Sequence, residues 1–182
     1  MTRKALSLIL VLLAGVALSE GKCKIKVNED GVRETKEIGY AFSRGWSMIR
    51  FWFGQEGDDY YIRVMYTKSW SGKLVIDEDN PMTLWFSSGD VVSLDPRRSA
   101  PGKHVFMPFL QFRKVAEPVY SMTREDLELL VEHPLERVDL TYRKVKGEEV
   151  LPEILHAGGL TKKKHSAKMV EYAKCIASPP ED

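Results

Sequence analysis

Between Tyr120 and Tyr142 the spacing of apolar and polar residues changes from a helical period to an alternating one, and the change is marked on both sides. Thr123, followed three residues later by Asp126, resembles a capping box with Asp in the place of the usual Glu or Gln. Glu125 and Asp126 then sit where the helix dipole favours negative charge. Leu127, Leu130 and Val131 fall on one face, and Pro134 stops the helix at His133. Leu135 to Tyr142 reads as a strand, with Val138 and Leu140 on one side and Arg137 and Asp139 on the other. A second helical period, Ser166 to Ile176, gathers Met169, Tyr172, Ala173 and Ile176 on one face.

Elsewhere the period is two. Cys23 to Val27 alternates apolar with basic residues, and Ser47–Phe53 and Tyr60–Thr67 are longer strands joined by the Gly- and Asp-rich loop 54–59. Symmetric closure of that loop predicts Phe53 opposite Tyr60, Phe51 opposite Ile62 and Ile49 opposite Val64, an unbroken core face. The other face then carries Trp52 opposite Tyr61, Met48 opposite Met65 and Arg50 opposite Arg63. Facing arginines repel, so a carboxylate from a neighbouring strand or a bound anion is expected between them, with a helix as the expected cover of the face. Lys73–Asp77 is a short strand and Met82–Leu94 a hairpin about Ser88-Gly89-Asp90. Val105–Val115 is an apolar strand placed by Pro108 at an edge or a bulge. Pro152 and Gly158-Gly159 argue against any long regular element between Lys144 and Leu160. The sum is an α+β domain: a mainly antiparallel sheet of about five to seven strands and two late helices, the last packed on the sheet through Met169, Ala173 and Ile176.

The N-terminus changes the setting. Arg3 and Lys4 precede an apolar run from Ala5 to Leu18, and Ala17-Leu18-Ser19 offers small residues where a signal peptidase reads. The run is short for a bilayer span, so residues 1–19 read as a secretory signal and 20–182 as one exported domain, secreted or periplasmic; a retained N-terminal anchor is the alternative. The 182-residue chain has a formal charge of +1, and removal of Arg3 and Lys4 leaves 25 basic against 26 acidic side chains, about −1. Such a balance argues against a nucleic-acid partner. The two cysteines, Cys23 and Cys175, suit a disulfide in an oxidising compartment, closing a loop worth roughly 4–5 kcal/mol in the chain-entropy model.

Recognisable catalytic chemistry is absent from the sequence. His104, His133, His156 and His165 lack metal-ligand spacing, and there is no phosphate-binding loop, dinucleotide turn or nucleophile elbow. The acidic stretch 77–81 lacks the spacing of a calcium loop. No cofactor is implied. Trp46, Trp52, Trp70 and Trp85 raise the prospect of sugar stacking. The order Leu84-x-Phe86-x-x-Gly89-Asp90-x-Val92-x-Leu94, then Tyr120-x-x-Thr123 with Leu127 and Leu130, then Val138-x-Leu140, and finally Ala173-Lys174-Cys175-Ile176, resembles a set of small exported proteins of Gram-negative gut bacteria. That resemblance implies an α+β fold and export and carries no catalytic residues. The expected function is a non-enzymatic binding module for a protein or glycan partner, with Arg50, Trp52, Tyr61 and Arg63 as binding residues. The alternative is a hydrolase whose groups converge only in the fold, with Asp58, Asp59 and His104 as loop-borne candidates.

Overall fold

The computed structural model describes residues 25–42, 47–68, 73–107, 111–157 and 163–179. Its α+β chain forms two antiparallel sheets. The first contains β1 (Lys26–Val27), β2 (Arg33–Glu34), β3 (Ile38–Phe42), β4 (Ser47–Glu56), β5 (Asp59–Lys68), β10 (Lys103–Met107), β11 (Gln111–Ala116) and β12 (Val119–Met122). The second contains β6 (Lys73–Ile76), β7 (Met82–Phe86), β8 (Val91–Leu94), β9 (Ala100–Pro101), β13 (Leu135–Lys146) and β14 (Glu149–His156). The helices are α1 (Arg124–Glu132) and α2 (Lys163–Ala177). The strand number far exceeds the expected five to seven, because short pieces such as β1, β2 and β9 have too few residues to show a period.

The α1 boundaries follow from the residues that predict them. Thr123 Oγ1 accepts from the Asp126 amide and the Asp126 carboxylate accepts from the Thr123 amide, at 3.1 and 2.9 Å, completing the capping box. Leu127 and Leu130 are buried, and Pro134 follows the last turn. In α2, Met169, Tyr172, Ala173 and Ile176 are buried in the same cluster as Ile49, Phe51 and Phe53 of β4 and Leu84, Val138 and Leu140 of the second sheet. One core therefore serves both sheets and both helices.

Three sequence expectations require correction. The apolar run 105–115 is two strands, β10 and β11, paired with each other, while Pro108 lies outside the described residues. The segment 144–160 contains regular structure: β13 continues to Lys146, turns at Gly147 and Glu148, and returns as β14 straight through Pro152. The Ala157 amide donates to the Val138 carbonyl at 2.8 Å, which fixes the alternation of β14. Counting back by twos, the amides of residues 155, 153 and 151 face β13, so Pro152 falls on the outward set and costs the ladder nothing. Third, β4 and β5 are joined by a two-residue turn, Gly57-Asp58, rather than a six-residue loop. Gly57 has φ 59°, the left-handed value that tight hairpin turns require at their first central position. The pairing is thereby shifted two residues from the expected one: Phe53 faces Ile62 and Phe51 faces Val64. A shift of two leaves every side chain on its expected face.

Candidate functional site

The outward face of the β4–β5 hairpin is where the new register has consequences. Trp52 now lies opposite Arg63, Arg50 opposite Met65, and Gly54 opposite Tyr61, so the two arginines sit on a diagonal instead of head to head. Each has its own carboxylate. Arg63 donates from Nε and Nη2 to the two oxygens of Glu34 at 2.8 and 2.6 Å, a bidentate clamp. Arg50 Nη1 reaches Glu37 at 2.9 Å, and its Nε lies 3.4 Å from Met48 Sδ. The clamped Arg63 guanidinium lies over the Trp52 ring, 4.1 Å from its centroid, a cation–π contact. Glu34 comes from β2, which is short and pairs with the end of β4.

Tyr61 supports this stack from below. It is 7 % exposed, and its ring crosses Gly54 so closely that a Cβ there would come within 2.0 Å of Tyr61 Cζ. Its hydroxyl donates to Glu34 at 3.3 Å, and the Arg97 guanidinium lies 5.0 Å from its ring centroid. Burial first, and then the Glu34 charge, push the Tyr61 phenol up to about 12. Arg97 is in turn tied to Glu56 at 3.4 Å and to the Tyr60 carbonyl at 3.3 Å. The half-buried side chains presented on this face are thus Met48, Arg50, Trp52, Arg63 and Met65, with Tyr61 beneath them.

The loop candidates for hydrolysis do not meet. Asp58 and Asp59 lie at the β4–β5 turn, whereas His104 pairs with Lys114, which pairs with Lys68 at the other end of β5, roughly 30 Å along the strand. The pairing proposed for Cys23 and Cys175 involves a residue outside the described set; Cys175 is buried in α2, and no described cysteine is free. Trp46 and Trp70 also lie outside it.

A second polar cluster on the other sheet has no counterpart in the sequence reading. Asp139 accepts from Trp85 Nε1 at 3.1 Å, from Arg137 Nε at 2.9 Å, and sits 2.7 Å from His156 Nδ1. The Arg137 guanidinium covers the Trp85 ring at 4.0 Å. Asp139 is buried by these neighbours although it points to the outer side of β13, and the His156 side chain is 65 % exposed. The signal that could have found it is Gly147: counting outward from a two-residue turn at 147–148 sets Asp139 opposite His156. Glu34, Glu37 and Arg97 carry no such local signal, since long-range pairing alone brings them to the hairpin. Among the described residues there is no group of three or more metal-ligating side chains, and no helix is long and apolar enough to cross a membrane. No family model matches the chain, and no curated protein matches it.

Proposed function

We propose that this protein is an exported binding module whose contact surface is the outward face of the β4–β5 hairpin. The observation that carries the reading is the Trp52–Arg63–Glu34 stack: a half-exposed indole under a guanidinium whose orientation is fixed by two short charge-assisted bonds. Such a surface is preorganised on a long hairpin, so a partner protein or glycan binding there immobilises few side chains. Arg50 and Met48 extend it along β4, and Tyr61 acts by holding Glu34 and Arg97 in place. Export and a Cys23–Cys175 bridge belong to the same reading, as does packing of α2 on the first sheet through Met169, Ala173 and Ile176. The resemblance to small exported proteins of Gram-negative gut bacteria agrees with it. The test is a glycan array and an envelope-protein pull-down with wild type and Trp52→Ala. We expect the variant to lose its hits by roughly tenfold or more, as buried aromatic anchors do; undiminished binding by a folded variant rejects the surface. Intact mass of the exported protein, with and without reduction before alkylation, reads both the mature N-terminus and the bridge.

A secreted hydrolase is the second reading, favoured by the Asp139–His156 pair. A buried carboxylate that orients an exposed imidazole through Nδ1 leaves Nε2 as a base. Turnover of nitrophenyl esters or glycosides that disappears in His156→Ala would select it over binding alone.

A further inference from the structure

Lys68 of β5, Lys114 of β11 and His104 of β10 are direct cross-strand partners, so their side chains project in a row from one face of the first sheet. That face looks inward. Tyr66, two residues before Lys68, is buried with its ring 5.4 Å from that of Tyr142 in β13, and Ala116, two residues after Lys114, is buried in the shared core. Lys68 reaches the second sheet itself, donating to the Tyr142 hydroxyl and, at 3.3 Å, to Glu153. Lys144 approaches the other Glu153 oxygen at 3.9 Å. At this end, then, the two sheets meet over three lysines and one carboxylate. The end is open to water: the Lys68, Lys144 and Glu153 side chains keep 26, 27 and 33 % of their surface.

Lys114 differs from the other two lysines. It is only 7 % exposed, and among the described residues no carboxylate lies within ion-pairing distance of it. Its direct neighbour is another cation, Lys68, with the two Cβ atoms roughly 5 Å apart. The sealed side-chain polar atoms without a partner among the described residues are Asp77 Oδ1 and the hydroxyls of Tyr120 and Ser166. The Lys114 ammonium is not one of them, so a buried stem carries a charged tip that still meets solvent. Sinking a lysine beside a like charge is unfavourable unless an anion joins them. We infer that this end of the inter-sheet space binds a doubly charged oxyanion, a phosphate or sulfate, free or at the end of a small molecule. Charge sets the class. Three ammonium groups against Glu153 leave two positive charges, which one dianion neutralises and a single carboxylate or chloride does not. The oxyanion seats on Lys114, and Lys68 and Lys144 supply the surrounding positive charge.

The experiment labels lysine Cε with carbon-13 in the full-length protein and follows these signals at about pH 8, where phosphate groups are dianionic. Inorganic phosphate, sulfate and glucose 6-phosphate are expected to move the Lys114 signal saturably, while sodium acetate and sodium chloride at equal ionic strength bind at least about tenfold more weakly. Glucose 6-phosphate matching inorganic phosphate assigns the site to a terminal phosphate; tighter binding of inorganic phosphate or sulfate assigns it to the free ion. Lys114→Met keeps the buried stem and removes its charge, so the variant should unfold in urea no earlier than wild type and lose anion binding by about tenfold or more. Glu153→Gln removes the competing carboxylate and should tighten binding, whereas Lys26→Met, on the exposed β1, should leave it unchanged. A Lys114 signal that follows ionic strength alone, dianions no tighter than acetate, undiminished binding by Lys114→Met, or no gain in Glu153→Gln would each overturn the inference. None of these results depends on the outward hairpin face, so the two proposals stand or fall separately.

Discussion

Gly54 shows how one missing side chain positions a cluster. The Tyr61 ring occupies the space where a Cβ would be, and in doing so sets its hydroxyl beside Glu34 and its face beneath Arg97. Gly54→Ala should therefore cost roughly 1–3 kcal/mol, as over-packing a filled site does, in a urea unfolding titration. The same variant should lower the phenol value of Tyr61 from about 12 toward its ordinary 10, because the ring is driven into water. Absorbance of the ionised phenol, compared with Tyr61→Phe as the blank, reads that change; an unaltered titration in Gly54→Ala would contradict the packing argument.

At the scale of elements, β14 is a strand with one paired edge and one edge without a partner among the described residues. Val150 and Ile154 are 50 % and 59 % exposed on it, a composition that invites pairing with another chain. Pro152 removes the central outward donor between them. Pro152→Thr restores that donor and a β-favouring residue, so the variant should self-associate at concentrations where wild type is monodisperse by light scattering. The same proline explains a failure of sequence reading: proline weighs against a strand only when its nitrogen faces a partner, and the direction it faces is decided by pairing. The helix at Thr123 was legible because its cap, apolar stripe and stop are all local. The faces of β4 and β5 were legible too, since a two-residue register shift preserves them. Which residue stood opposite which was not, because it hung on whether six residues or two made the turn. The Glu34 clamp was illegible for a stronger reason: nearly thirty residues separate Glu34 from Arg63, and only the sheet closes that gap.

For the whole molecule, the link between the two sheets is polar as well as apolar. Lys68 of β5 donates to the Tyr142 hydroxyl at 2.8 Å, and Tyr142 donates to Glu153 of β14 at 2.5 Å. The Tyr142 bond first, and the Lys68 charge after the opposing effect of burial, hold the Glu153 carboxyl below its ordinary 4.5. A carboxyl lowered in the fold contributes stability that is complete above its unfolded value and lost as pH falls through the folded one. The unfolding midpoint in urea should accordingly fall as pH drops below about 4.5, and Glu153→Gln should flatten that acid limb while lowering the plateau. An acid limb unchanged by the substitution would remove Glu153 from the account. The order of strands has a further consequence, for the newly made chain. Strands β1–β5 join the first sheet, β6–β9 the second, β10–β12 the first again, and β13 and β14 the second. Both β6 and β7 pair with β13, so Leu74, Leu84 and Phe86 wait for a β13 partner roughly fifty to seventy residues later. At 5–20 residues per second that interval is on the order of 3–12 s, during which an emerging chain cannot complete its second sheet.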